Sequence, residues 1–252
     1  MPYFMHTVKT IPKGLGFSHF DATHLCWLCA FVAIAVALCL LYRRLGKPGR
    51  RRFRYIMSAL IVADEIFKVV FLVIGGRYTI NYLPLHLCSI NIVLIAIHAV
   101  RPSRALDNFL YLICLPTAIL ALLFPTWTKL PVLNFSHLHS FTIHILLACY
   151  PLALTVGGDI RPQVRQLGKS LLLLLSLAAS VYIFNVLFDT NFMFLMSADK
   201  GNPLYWFEQS LGSHLFGFPI LGSALIFVMY LPVELWRRYR RTHASGEPTL
   251  PS

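Results

Sequence analysis

The sequence is short of acidic residues and of charge altogether. Only 13% of its 252 residues are charged, whereas a soluble domain carries about a quarter. Asp and Glu number 10 against 22 Lys and Arg, and 57% of the residues are hydrophobic. Several apolar runs reach the roughly 20 residues that a helix needs to cross a bilayer. This composition excludes a soluble globular protein and predicts an all-α, polytopic membrane protein.

The spacings that would indicate a metal centre or a disulfide framework are also missing. No H-E-x-x-H motif and no pair of C-x-x-C motifs occurs among the histidines and cysteines. All six cysteines fall within apolar runs, where a disulfide framework is not expected. No cleavable signal peptide is evident, because the first apolar run is too long for one. We therefore expect no metal and no cofactor.

The net charge of +12 does not indicate a nucleic-acid partner, because the basic residues lie in short segments beside apolar runs. Such segments contact lipid headgroups, so membrane lipids are the expected partners. The apolar runs predict a bundle of about seven transmembrane helices, at residues 22–42, 54–75, 84–100, 104–124, 137–157, 167–188 and 214–236.

Lys and Arg are concentrated in alternate loops and in the tail, for example Arg50 to Arg54 and Arg237 to Arg241. The positive-inside rule then places the N-terminus outside and the C-terminus in the cytoplasm. We expect one seven-helix domain over residues 1–241, followed by a disordered cytoplasmic tail at residues 242–252.

The stretch from Leu83 to Asn91 is the most reactive part of the sequence. Pro84 suits the first position of a helix, because the N–H it lacks has no partner there. Cys88 then lies in the first turns, where free N–H groups and the helix dipole favour a thiolate. Asn91, three residues on, shares the face of Cys88 and is a candidate oxyanion donor. The alternative is that Cys88 is a small apolar residue in a membrane helix.

A cysteine nucleophile needs a base, and the sequence offers several polar side chains at the same depth. His86 is two residues from Cys88 and so points to the opposite side of a helix, which leaves it to orient the site or to donate to a substrate oxygen. His144 in the fifth span is the best-placed base. Glu65 lies near Asp64 and Lys68, and two interpretations are open. These residues form an internal ion pair, or Glu65 has a functional role in which it orients His144 or relays protons. Three further polar residues have two possible roles: they cap a helix end and fix a loop, or they donate to an oxyanion. They are Asn185, Asp189 and Asn191.

Four features together carry a family resemblance: Leu83-Pro84-Leu85-His86-Leu87-Cys88, Glu65 in the preceding span, His144 in the fifth span, and the segment from Asp189 to Leu195. They resemble the YwaF-type family of bacterial integral membrane proteins, which is similar to an animal transmembrane protein implicated in acyl transfer to ether phospholipids. The resemblance implies Cys88 as the acyl-accepting nucleophile, His144 as its partner, and the bacterial plasma membrane as the location.

Three hypotheses for function follow. The first is a membrane acyltransferase that forms a thioester on Cys88, assisted by His144 and Glu65. The second is a transporter or channel that uses the acidic and lysine side chains within the second span. The third is a membrane protein without catalytic activity.

Overall fold

The computed structural model describes residues 3–7, 10–12, 14–200 and 202–244. These residues form α-helices joined by short 3-10 turns, with no strand among them, which confirms the all-α class. The helices are α1 (Ala22–Arg44), α2 (Lys47–Ile74), α3 (Leu87–Val100), α4 (Arg104–Phe109), α5 (Leu115–Leu123), α6 (Phe135–Val156), α7 (Leu167–Phe188), α8 (Pro203–Leu211) and α9 (Gly217–Ala244).

Five helical segments among the described residues are long and apolar enough to cross a bilayer: Ala22–Arg44, Arg104–Leu123, Phe135–Val156, Val164–Phe188 and His214–Leu235. They correspond to five of the seven predicted spans. The other two predicted spans form helices with different properties. Helix α2 has 28 residues but carries several charges, and α3 has 14 residues. At 1.5 Å per residue α3 is about 21 Å long, shorter than the roughly 30 Å of a hydrocarbon core.

Burial distinguishes central helices from peripheral ones. In the most apolar stretch of Arg104–Leu123 61% of the residues are buried, and in that of Phe135–Val156 56% are buried. The corresponding fraction is 11% in the segments of α1, α7 and α9. The peripheral helices expose large apolar side chains, such as Leu175, Leu187 and Phe227. Helix α6 and the α4–α5 segment therefore form the core, and the exposed apolar faces are suited to lipid contact.

The segment from α4 to α5 is one helix interrupted by a π turn at Leu110–Cys114. Pro116 lies at the start of α5 and has no N–H to donate to the carbonyl four residues earlier. The Thr117 hydroxyl donates to the Ile113 carbonyl at 2.6 Å, so a side chain adds a hydrogen bond to the last residues of the π turn. The π turn holds Cys114 fully buried.

The two ends of the bundle differ in their polar contacts. The upper end is the one where α1, α3 and α6 begin, and the lower end is the one where α2, α4 and α7 begin. At the upper end the His24 ring donates to the Leu122 carbonyl at 2.7 Å, and Trp27 donates to His137 at 3.0 Å. At the lower end the Tyr42 hydroxyl donates to Asp159 at 2.6 Å.

An apolar layer separates these ends. Ile61 in α2, Ile95 in α3 and Leu147 in α6 are at most 1% exposed. In its own helix, each of these three residues lies between the polar residues of the upper end and those of the lower end.

The end of the chain is described in part. Helix α9 extends to Ala244, three residues into the predicted tail. Residues 245–252 lie outside the described residues, so disorder there stays a prediction.

Candidate functional site

Cys88 is the second residue of α3. The helix begins later than the sequence predicted: Pro84 lies in a turn, and His86 is the N-cap with extended backbone (φ −69°, ψ 151°). The first helical hydrogen bond runs from the Ile90 N–H to the His86 carbonyl at 3.0 Å. The N–H groups of residues 87, 88 and 89 therefore have no carbonyl within the helix to donate to, and the His86 side chain does not cap them. This places the thiol beside the free N–H groups of a helix N-terminus.

Polar and charged groups surround the Cys88 thiol. The hydroxyl and the backbone N–H of Ser89 contact it, and it lies within electrostatic range of Lys68 and Glu65 from α2. Cys114 of the π turn is close enough to interact with it electrostatically. The thiol is free and its side chain is partly buried against the core. The structure therefore brings α2, α3 and the π turn together around one thiol.

His86 connects the start of α3 to the loop after α7. Its Nδ1 accepts a hydrogen bond from the Met193 N–H at 3.3 Å, which puts the proton of the neutral ring on Nε2. The ring also makes an edge contact with Phe192 at a centroid distance of 5.0 Å. The rotation argument that turned His86 away from Cys88 does not apply, because His86 is the N-cap and lies outside the helix. The direction of His86 relative to Cys88 stays a prediction. The Nε2 proton of His86 has no acceptor among the residues that the structure describes and can serve as a donor.

His144 is held by its own helix. Its Nδ1 donates to the Ser140 carbonyl at 2.6 Å, and its ring stacks on Trp127 at a centroid distance of 5.3 Å. The proton on Nδ1 leaves a lone pair on Nε2, as a base requires. His144 lies within electrostatic range of His86. The described residues contain no hydrogen bond between His144 and Cys88.

The carboxylate of Glu65 contacts Lys68 and His139, and not His144 as the sequence predicted. Glu65 binds Lys68 at 2.6 Å and lies 3.7 Å from Nε2 of His139. Nδ1 of His139 is 3.0 Å from Asp64. The ring that faces the two carboxylates is therefore His139, and the contact that orients His144 comes from Ser140.

This ionic cluster of Asp64, Glu65, Lys68 and His139 joins α2 to α6. It lies one to two turns below the stack of Phe71 on Phe135, whose centroids are 3.8 Å apart, and so belongs to the upper end of the bundle. The sequence prediction put the acidic pair near the middle of its span and gave His139 no role. An antiparallel pairing of α2 with α6 was the missing information, because it sets the two helices in register.

Asn91 is buried on α3, 1% exposed. Its Oδ1 is buried and makes no hydrogen bond to any described residue. An unpaired buried acceptor is unusual in a folded protein and indicates a position where a ligand or water can bind. Asn91 follows Cys88 by three residues in α3, and its Oδ1 can still accept a hydrogen bond.

The other predicted amides build the loop after α7. Asn185 accepts from the Thr190 hydroxyl and the Phe192 N–H, and donates to the Phe192 carbonyl, each at 2.9 Å. Asn191 binds Ser197 and the Met196 N–H. Asp189 is an exposed C-cap in left-handed conformation (φ 49°, ψ 51°). These three residues shape the loop that carries Met193 to His86.

One family model matches residues 16–230 of the chain, and its description is the TMEM164 family. The chain belongs to the TMEM164 family. The match to TMEM164 runs from the segment before α1 into α9 and includes every residue of the candidate site. No curated protein and no solved structure gives a match. The YwaF-type name and the bacterial origin stay predictions.

Proposed function

We propose that this TMEM164-family protein is a membrane enzyme that transfers an acyl chain between lipids through a thioester on Cys88. The observation that supports this most is the position of Cys88 in the first turn of α3. There the first N–H groups of the helix lie beside the thiol, and Lys68, which is paired with Glu65, is nearby. A cationic group and a helix N-terminus favour the thiolate, which is the nucleophile.

The first half-reaction follows from these groups. His144 takes the Cys88 proton on Nε2, and the thiolate attacks the carbonyl carbon of an acyl ester. The tetrahedral oxyanion receives hydrogen bonds from the N–H groups at the start of α3 and from the Asn91 amide. The C–O bond of the ester breaks, the leaving alcohol takes the proton from His144, and the acyl group remains on sulfur.

The second half-reaction reverses these roles. His144 removes the proton of an acceptor hydroxyl, and the resulting oxygen attacks the thioester carbonyl. The C–S bond breaks, the thiolate leaves, and it regains its proton from His144. Glu65 and Lys68 act on this chemistry through charge, because their ion pair lies within range of the sulfur.

The substrates proposed for this site are membrane lipids that enter sideways from the leaflet at the upper end. The proposal includes seven spans, with α2 and α3 crossing in addition to the five longer segments. It also places the upper end outside and the basic lower end in the cytoplasm, in a plasma membrane. The exposed lower loops carry Arg101, Arg104, Arg161 and Arg165, in support of this orientation.

An alkyne-tagged lipid-like electrophile tests the mechanism in native membranes. We expect labelling of Cys88 that disappears in Cys88→Ser and falls about 100-fold in rate in His144→Ala, because general-base catalysis contributes about this factor. Cys114→Ser is the matched control, since Cys114 is buried in the neighbouring π turn, and it should keep the labelling. Full acyl transfer by Cys88→Ala in a reconstituted assay would exclude the mechanism.

A transporter is the second candidate, because the ionic cluster of Asp64, Glu65, Lys68 and His139 could bind and release protons. The apolar layer of Ile61, Ile95 and Leu147 argues against a continuous polar path. Solute or ion flux in vesicles that disappears in Glu65→Gln would favour transport over acyl transfer. Absence of both flux and Cys88 labelling would leave a non-catalytic membrane protein.

A further inference from the structure

The lower end of the bundle contains a cationic cavity far from Cys88. Its volume is about 560 Å³, and its lining is Leu45, Gly46, Lys47, Arg50, Arg51, Arg54 and Asp159. Four basic side chains face one carboxylate, so the lining carries a formal surplus of three positive charges. We infer that this cavity, between the α1–α2 turn and Asp159, binds the phosphate group of an anionic ligand.

The single carboxylate of this cavity is already used. Asp159 accepts from the Tyr42 hydroxyl and from Arg50, each at 2.6 Å, and Arg54 approaches it at 3.5 Å. Arg50 also donates to the Leu45 and Gly157 carbonyls at 3.0 and 2.7 Å. Asp159 thus holds Arg50 and also pairs with Arg54, but it does not contact Lys47 or Arg51.

The remaining donors are free to bind a ligand. Lys47 and Arg51 are exposed, and neither makes a hydrogen bond or ion pair with another described residue. Nε of Arg54 is buried without a partner among these residues. Planar guanidinium groups match the geometry of phosphate oxygens, and ammonium groups bind them as point charges.

The wall of this cavity is held rigidly by close packing. A Cβ on Gly157 would lie 2.4 Å from the ring of Tyr42, so the loop before Asp159 packs directly on α1. Arg50 lies 5.1 Å from the centroid of the same ring. The basic side chains therefore surround a site that exists before a ligand arrives, which lowers the entropy lost on binding.

A neighbouring cavity differs from this one in the net charge of its lining. It has a volume of about 400 Å³ and shares Arg54 and Asp159 with the first. Its lining adds Arg161 and Asp107, so two arginines balance two carboxylates. His98 in that lining is already bonded to Asp107 and Tyr150, each at 2.8 Å. This second cavity has no surplus charge to attract an anion.

The ligand is a phosphate ester, either the headgroup of an anionic phospholipid or a soluble phosphate. Full-length protein in a neutral detergent distinguishes these sources by its unfolding temperature. The probes are dioctanoyl phosphatidylglycerol, dioctanoyl phosphatidylcholine and inorganic phosphate at constant ionic strength. Stabilisation by phosphatidylglycerol alone identifies a lipid headgroup, and stabilisation by inorganic phosphate as well identifies a soluble anion. No stabilisation by either anion overturns the proposal.

Paired variants locate the binding. Lys47→Gln with Arg51→Gln should weaken the apparent affinity for the stabilising anion at least about tenfold. Arg165→Gln with Lys169→Gln removes the same charges from exposed positions at the same end of the bundle and should leave the affinity unchanged. Equal losses in the two pairs would mean general attraction to a basic surface and would refute the site. Cys88 labelling is measured in parallel, and its failure alone leaves this proposal intact.

Discussion

Several buried polar side chains of this protein form hydrogen bonds with backbone groups. Asn185, Asn134 and His24 each bind main-chain atoms of a loop or of a neighbouring helix. Such groups would be costly in a bilayer without partners. The residue types were visible in the sequence. The partners of His24 and Asn134, which lie 98 and 128 residues away, were not, whereas Asn185 binds Phe192 only seven residues on. Cys88 and Asn91 differ, because polar capacity around them remains unused.

Replacing Asn185 tests whether it is structural. Asn185→Ala removes three hydrogen bonds and leaves the Phe192 N–H and the Thr190 hydroxyl without their acceptor. The Phe192 carbonyl keeps only the longer bond from the Leu195 N–H at 3.4 Å. We expect a loss of about 2–4 kcal/mol in the free energy of unfolding, measured by denaturation in detergent. Asn191→Ala, on the exposed side of the same loop, should cost about 1 kcal/mol. If Asn185→Ala kept its stability and lost only acyl transfer, the amide would instead be an oxyanion donor.

Asp21 should make stability depend on pH. The N–H groups of Ser18 and His24 donate to its carboxylate at 2.8 and 2.9 Å and hold the pKa of Asp21 below its usual range. A lowered pKa gives stability that is present above the unfolded pKa, near 3.8, and is lost as the pH falls through the folded pKa.

The unfolding temperature is the measurement for this prediction. The Asp21→Asn variant keeps an oxygen acceptor at the N-cap but does not titrate. The higher stability of the wild-type protein relative to this variant should therefore be present at pH 7 and disappear near pH 2. A difference that stayed constant with pH would contradict the role given to the charge.

At the scale of elements, hydropathy predicted which segments are helical more accurately than it predicted where each helix begins and ends. The second helix begins at Lys47 rather than near Arg54, because a basic segment can continue a helix beyond the apolar stretch. The third begins at Leu87 rather than at Pro84, since His86 binds the loop after α7 and holds extended backbone. That loop is the contact which a sequence pattern cannot supply.

The end of α7 offers a test at this scale. Asp189 is in left-handed conformation, where a Cβ is unfavourable and glycine is not. Asp189→Gly should stabilise the protein by about 0.5–1 kcal/mol, because the left-handed penalty of about 1–2 kcal/mol exceeds the entropy cost of glycine. Asp189→Ala should destabilise it. Thermal unfolding measures both, and Cys88 labelling should be unchanged in both. Loss of labelling in Asp189→Gly would show that the carboxylate is needed.

At the scale of the whole molecule, composition was enough to predict an all-α membrane protein. It could not predict which faces of α2 and α6 meet, because apolar runs around a membrane helix do not fix its rotation. The contact of His139 with Asp64 and Glu65 therefore came only with the structure. The same applies to the lower cavity, whose arginines the sequence analysis used only for orientation.

Membrane topology tests whether α2 and α3 cross. Single cysteines are placed at Arg51, Thr79 and Arg104, all exposed, in a variant without the native cysteines. A membrane-impermeant maleimide should label position 79 in intact cells and positions 51 and 104 only after permeabilisation. Labelling of all three from one side would mean that neither helix spans the membrane.

The apolar layer of Ile61, Ile95 and Leu147 has an electrical consequence. Moving one elementary charge across a membrane costs or releases about 2.3 kcal/mol per 100 mV. In the proposed reaction, protons released and taken up at Cys88 stay above this layer and return to the same aqueous compartment. Turnover is then electroneutral, and the proposed reaction neither consumes nor dissipates the membrane potential.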